Sequence, residues 1–228
     1  MARFLAILYP ESCKAHHINM CHPPEPSLTS NPTLFAKFQA TPLTDGEKAG
    51  LERSGWFRDE GFGYNLLHCT KPQTAGYAIT ASPVGLLAWI YEKLHDWTDS
   101  YPWTDDEVLT WISLYYFSTA GAAASQRIYY ENTHRIPREG FPLKEGFIEV
   151  QRYVDVPLGY SRFPRDIVLL PKLWVNAMGP VVFLNEHDKG GHFAAWEVPD
   201  LLVSDLRTMF GKDGGAYGVV PGKSGYDE

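Results

Sequence analysis

The chain has 228 residues, 44% of them hydrophobic, and a formal net charge of -7. That is enough apolar material for one sizeable core, while an acidic balance with no basic cluster argues against nucleic acid as a partner. Cys13, Cys21 and Cys69 are too few and too scattered for a disulfide framework, so a reducing, cytoplasmic setting is expected; no apolar run approaches the roughly 18 residues of a membrane span.

Arg3 to Tyr9 reads as the tail of a helix, with Phe4, Leu5 and Leu8 on one face and Pro10 closing it. An isolated helix under about 12 residues is not stable in water, so an upstream part of the fold is expected. Lys14 to Met20 reads as a short strand, stopped by the Pro-rich run Cys21-His22-Pro23-Pro24. Cys13, His16, His17, Cys21 and His22 have ligand chemistry. In a strand, however, His16 and His17 point to opposite faces and cannot share an ion, so no metal site is expected.

Residues 31 to 140 read as helix and loop. Leu43, Glu47 and Leu51 fit a helix opened by Thr44 and Asp45. Pro83 to Trp97 is a strong helix: Ser82 is a good N-cap, Pro83 suits the first turn, and Leu86, Leu87, Ile90 and Leu94 recur at helical spacing. Thr104 to Tyr116 is another, with Thr104 and Glu107 at capping-box spacing, and Ala120 to Tyr130 a third. The pattern then changes. Phe147 to Leu158 reads as a strand, Pro171 to Met178 as a helix, Val181 to Leu184 as a strand and Asp200 to Phe210 as a final helix. A helical block interrupting a β/α alternation implies an α/β core with an inserted helical cap. The Gly-rich tail from 211 to 228 reads as disordered. Its Gly222-Lys223-Ser224 fails as a phosphate loop, because Tyr217 stands where the pattern needs Gly.

Asp166 and His192 stand out. Each lies in a loop beyond the carboxyl end of a strand-like segment, where open α/β sheets place their ligands. A helix and a strand separate them, the contents of one parallel crossover. Asp166 could accept the Nδ1 proton of His192 and fix its tautomer.

Three longer stretches carry a resemblance. Gly63-Tyr64-Asn65-Leu66-Leu67-His68-Cys69-Thr70-Lys71-Pro72-Gln73-Thr74, then Ser82-Pro83-Val84-Gly85-Leu86-Leu87-Ala88-Trp89-Ile90 with Glu92-Lys93, and then Gly190-Gly191-His192-Phe193-Ala194-Ala195 with Glu197 and Pro199, resemble signatures of the microsomal-type epoxide hydrolases. The resemblance runs from about Ala2 to Phe210. It implies an α/β-hydrolase fold with a helical lid. The expected parts are 1–22 and 146–211 from the core, 23–145 as the lid and 212–228 as a flexible tail.

The resemblance also implies roles. His192 matches the general base, Asp166 the acid that orients it, and Tyr64 and Tyr129 the lid phenols, with Tyr130 as the second choice for the latter. The implied chemistry opens a small apolar epoxide to a vicinal diol through an alkyl ester on an aspartate, with no metal or organic cofactor. Haloalkane or ester hydrolysis on the same fold suits paired tyrosines less well. The implied nucleophile sits in a Gly-x-Asp-x-Gly turn just ahead of the helix that residues 1–9 finish, and an upstream His-Gly motif completes the oxyanion site. Neither segment lies there, so an N-terminally truncated chain is expected, with the first strands missing. The alternative is a non-catalytic remnant that binds an apolar ligand or a partner chain. An unpaired neighbour to the Lys14–Met20 strand makes a homo-oligomer the expected state.

Overall fold

Three short segments build a parallel sheet: β1 (His16–Ile18), β2 (Leu158–Arg162) and β3 (Val181–Glu186), in the order β1-β2-β3. This comes from a computed structural model that describes residues 2–134 and 146–223, apart from the side chains of Gly146 and Phe147. The helices in chain order are α1 (Ala2–Leu8), α2 (Pro32–Ala40), α3 (Asp45–Trp56), α4 (Gly63–Thr70), α5 (Pro72–Ala81), α6 (Pro83–Asp96), α7 (Asp105–Tyr116), α8 (Ala124–Thr133), α9 (Gly146–Glu149), α10 (Ala194–Glu197) and α11 (Pro199–Phe210). A π-helical turn covers Phe57–Gly61 and a 3-10 helix Lys172–Ala177.

The chain forms two compact units, one from residues 1–55 and 150–228, the other from 56–149. In the first, β1 and β3 flank β2, whose residues are all buried. Cys21, Leu158, Tyr160, Val175 and Met178 cluster in one patch of its core. Residues 23–55, grouped with the lid in the sequence reading, fall in this unit. Glu47 shows one reason: its Oε1 accepts from the backbone N–H of Lys172 at 2.9 Å. The expected lid boundary at 145 lies outside the described residues.

In the second unit α4 packs on α5 and α8, and α6 on α5 and α7. Its helix ends obey the local chemistry. The Ser82 side chain accepts from Gly85 N–H, and Thr104 and Glu107 form a reciprocal capping box. Leu86, Leu94, Val108 and Ile112 are buried at the helical spacing that the sequence displays. Among the described residues no helix is long and apolar enough to cross a membrane.

Three expectations need correction. The strand expected over Phe147–Leu158 is instead α9 followed by a turn and bends, and the ladder begins only at Leu158. Pro157 has no N–H to give a ladder, and the apolar Val154 and Val156 cross the backbone of Gly179. The third lid helix starts at Ala124 rather than Ala120, because Gly121 at φ +84° holds a turn there. The tail is not uniformly loose: Ala216 is buried and its N–H donates to Met209 O at 2.9 Å.

Candidate active site

β2 and β3 keep running side by side after their ladders end. The Arg165 N–H donates to Gly190 O at 3.0 Å, and Arg165 bridges Gly191 in parallel fashion. This brings the two loops beyond the strand ends into register. Asp166 and His192 sit one step further along each loop. His192 Nδ1 lies 2.8 Å from Asp166 Oδ1. A carboxylate can only accept, so Nδ1 carries the proton and Nε2 is left as the basic nitrogen.

Asp166 is fully buried, and the same Oδ1 accepts from Ile167 N–H at 2.7 Å. Oδ2 is also buried and has no hydrogen-bond partner among the described residues. The His192 side chain is 22% exposed, enough for one ring edge to be reached from outside. His22 feels both members of the pair. Burial pushes its imidazole below the ordinary range, Asp166 pulls it back up and His192 adds to the lowering.

The histidine loop is held by residues outside the pair. Glu197 Oε1 accepts from Gly191 N–H at 3.1 Å and Phe193 N–H at 3.2 Å, the amides on either side of His192. Gly190 adopts φ +100°, and a Cβ there would meet Val198 Cγ2 at 2.7 Å and Phe163 Cδ1 at 2.9 Å. Only glycine combines that backbone with that approach.

In the second unit, Tyr64 on α4 and Tyr129 on α8 meet edge to face, with centroids 5.9 Å apart at 84°. Burial first, and for Tyr64 the neighbouring phenol second, raises both pKa values above the ordinary tyrosine range. Both therefore remain protonated donors at neutral pH. Tyr130 is set apart from this pair: it is partly exposed and stacks on His134 at 4.0 Å. His68 is 5% exposed, lies against Tyr64, Tyr129 and Trp89, and has neither ring nitrogen hydrogen-bonded. The Lys93 ammonium lies 5.1 Å from the Tyr64 ring centroid and 5.3 Å from that of Trp89. Trp89 and Trp97 pack against this group, and Trp111 packs against Trp103.

The five residues Cys13, His16, His17, Cys21 and His22 do not converge. His16 Nε2 accepts from Arg3 at 3.2 Å and His17 Nε2 lies 2.9 Å from Ser161 Oγ. The sequence reading finds no Asp with Gly-x-Asp-x-Gly flanking, and this needs correction: one spelling occurs at Gly211-Lys212-Asp213-Gly214-Gly215. It follows a helix instead of a strand, and Asp213 is exposed at φ +68°. Its glycines serve the exit from α11: a Cβ on Gly214 would strike Thr208 O at 2.2 Å. Sequence reasoning also missed the work of Glu197 and Phe163. The spacing of Glu197 from the double glycine was visible, but its hydrogen bonds to backbone were not.

No family model matches the chain. Over 213 residues it is 38% identical to a Stigmatella aurantiaca protein named as a candidate epoxide hydrolase, a match covering 90% of this chain and 43% of that one. Over 161 residues it is 36% identical to epoxide hydrolase 1 of Sus scrofa, covering 65% of this chain and 34% of that one. Among solved structures it superposes on the Aspergillus niger epoxide hydrolase with TM-score 0.69 and 35% identity, covering 90% of this chain and 47% of that one. The chain thus spans less than half the length of these relatives. Its parallel sheet and helix-rich remainder are part of an α/β-hydrolase fold.

Proposed function

Because the chain belongs to the epoxide hydrolases, we propose that it is part of an enzyme that hydrolyses a small apolar epoxide to a vicinal diol, with His192 as general base. An aspartate carboxylate attacks an epoxide carbon and the C–O bond breaks. Hydrogen bonds from Tyr64 and Tyr129 stabilise the charge on the leaving oxygen, which takes its proton from one of these phenols, and the phenolate recovers that proton from solvent. His192 Nε2 then removes a proton from water, and the hydroxide attacks the ester carbonyl to release the diol. Asp166 holds the Nδ1 proton and stabilises the imidazolium.

The observation that carries this reading is the 2.8 Å contact between His192 and a fully buried Asp166, on loops beyond adjacent parallel strands. The phenols support it as donors that burial keeps protonated. Free thiols at Cys13, Cys21 and Cys69 suit a cytoplasmic setting. β1 and β3 are edges of the described sheet, which suits self-association into a homo-oligomer.

The test uses the protein from its full reading frame, a styrene-type epoxide and the His192→Gln variant. Alkylation needs no base, but ester hydrolysis does. The variant should lose diol formation and accumulate an adduct whose added mass equals that of the substrate. Parental turnover in His192→Gln would overturn the assignment. The competing reading, binding of an apolar ligand or partner without turnover by these 228 residues alone, draws support from Asp213: the chain's Gly-x-Asp-x-Gly does not sit on a strand-to-helix turn.

A further inference from the structure

Asp205, on α11 and 3% exposed, anchors a buried polar cluster that none of these steps uses. Ser161 donates to its Oδ2, His187 Nε2 lies 2.6 Å from the same oxygen, and Asn185 Nδ2 donates to Oδ1 at 2.7 Å. Ser161 Oγ is also 2.9 Å from His17 Nε2. One carboxylate thereby ties α11 to side chains from β2, from β3 and from the residue that follows β3, and through Ser161 to β1. Serine, histidine and aspartate together suggest a second nucleophilic centre, but the geometry excludes it. Ser161 is completely buried, so no substrate reaches its oxygen.

The cluster leads to the candidate site by a short path. His187 opens the loop that carries His192, and its ring stacks on Phe163 at 4.7 Å and 12°. Phe163 is completely buried and belongs to the loop that carries Asp166; its carbonyl accepts from Asp166 N–H at 3.2 Å. Gly190, on the histidine loop, approaches the ring so closely that a Cβ would lie 2.9 Å from Phe163 Cδ1. Phe163 is therefore held by two points of the histidine loop while its own backbone positions the acid.

We propose that Asp205, acting through His187 and Phe163, is a positioning residue that sets the spacing of the Asp166 and His192 loops. The purpose assigned to that pair rests on the proposed function, but its geometry can be tested without turnover. Fixing the His187 ring plane fixes Phe163, and Phe163 fixes the turn into Asp166. Loss of the carboxylate frees the ring, and the Asp166–His192 hydrogen bond opens more often.

The experiment follows the Nδ1 proton of His192 by NMR in the 15N-labelled 228-residue chain, with its exchange against water and the imidazole tautomer as readouts. Asp205→Asn keeps the shape but has one acceptor oxygen instead of two, so its NH2 faces a donor, either Asn185 Nδ2 or the Ser161 and His187 pair. His187→Leu removes both the anchor and the stack. Ser161→Ala, a milder deletion, is the variant to use if Asp205→Asn does not fold. Each should speed exchange of the Nδ1 proton by about tenfold or more. Met209→Leu, a completely buried change on the same helix, controls for lost stability and should leave the exchange unchanged. Parental exchange in Asp205→Asn, or in His187→Leu and Ser161→Ala, overturns the proposal, as does equal acceleration in Met209→Leu. Diol assays on the same variants made in the protein from its full reading frame keep the two readings apart. Faster exchange in the variants beside a full-reading-frame parent that makes no diol defeats only the function; unchanged exchange beside an active parent defeats only this inference.

Discussion

His16 predicts how the first unit responds to acid. It is 4% exposed, and its Nε2 accepts from Arg3 Nη1 at 3.2 Å, which requires the neutral ring. Burial first and Arg3 second push its pKa from 6.5 down to about 4, with a smaller push from His17 and a partial offset by the Pro157 backbone. The unfolded chain therefore takes up a proton near pH 6.5 that the folded chain refuses until about pH 4. Between those values the unfolded state binds more protons, so stability is full above the window and falls as pH drops through it. The slope is about 1.4 kcal/mol per pH unit, and the whole window is worth up to about 3 kcal/mol. The assay is urea unfolding at half-unit steps from pH 7.5 to 4.0, comparing the parent with His16→Gln, which keeps an acceptor for Arg3 but does not titrate. The parent's stability should fall more steeply than the variant's by roughly that slope. Parallel curves would refute the buried, neutral assignment of His16.

In the full-length enzyme, Asp166→Asn should leave the fold intact but lower diol formation by about 10⁴-fold, the typical cost of a mis-set histidine tautomer in hydrolytic triads, measured as kcat. Tyr64→Phe and Tyr129→Phe should each slow single-turnover alkylation and together nearly abolish it; unchanged alkylation in the double variant would remove both from the oxygen site. Gly190→Ala puts a Cβ 2.7 Å from Val198 Cγ2 at φ +100°, and should cost about 1–3 kcal/mol, read as a lower melting temperature. The second unit carries its own acid-sensitive group. Burial first and Lys93 second push His68 down to about 4, so His68→Gln should flatten that unit's response over the same window as His16→Gln does in the first.

The helices of the second unit were legible because their signals are local. Ser82, Pro83, Thr104 and Glu107 act on backbone within one turn, and the structure uses each as its spacing implies. The second strand was misplaced because its carboxyl half is polar. Ser161 and Arg162 read as loop residues, yet both are buried in β2, where Asp205 accepts from Ser161 and Glu186 pairs with Arg162. Partners distant in sequence remove the polar signal that a hydropathy pattern relies on. Asp166 and His192 could be singled out because loops beyond adjacent parallel strands converge whatever the strands' limits are. Tyr64 and Tyr129 could not be paired by spacing at all; only the resemblance joined them, and the packing of α4 on α8 supplies the physical contact.

The histidine loop shows why the second kind of information matters more than the first. Its own residues, Gly190, Gly191 and His192, have little side chain to pack. Their positions come from acceptors and walls supplied elsewhere: Glu197 holds the two flanking amides, Arg165 holds the Gly190 carbonyl, and Phe163 and Val198 close on Gly190 from two sides. A loop fixed in this way keeps the imidazole oriented without burying it, and a base that must reach both a buried acid and an incoming water needs that combination. Replacing His192 by Gln, which keeps a donor for the buried Asp166, should therefore remove chemistry with little effect on stability, whereas replacing Gly190 should cost stability and catalysis together. A Gly190→Ala protein with parental melting temperature and parental turnover would show that the loop's walls do not set its geometry.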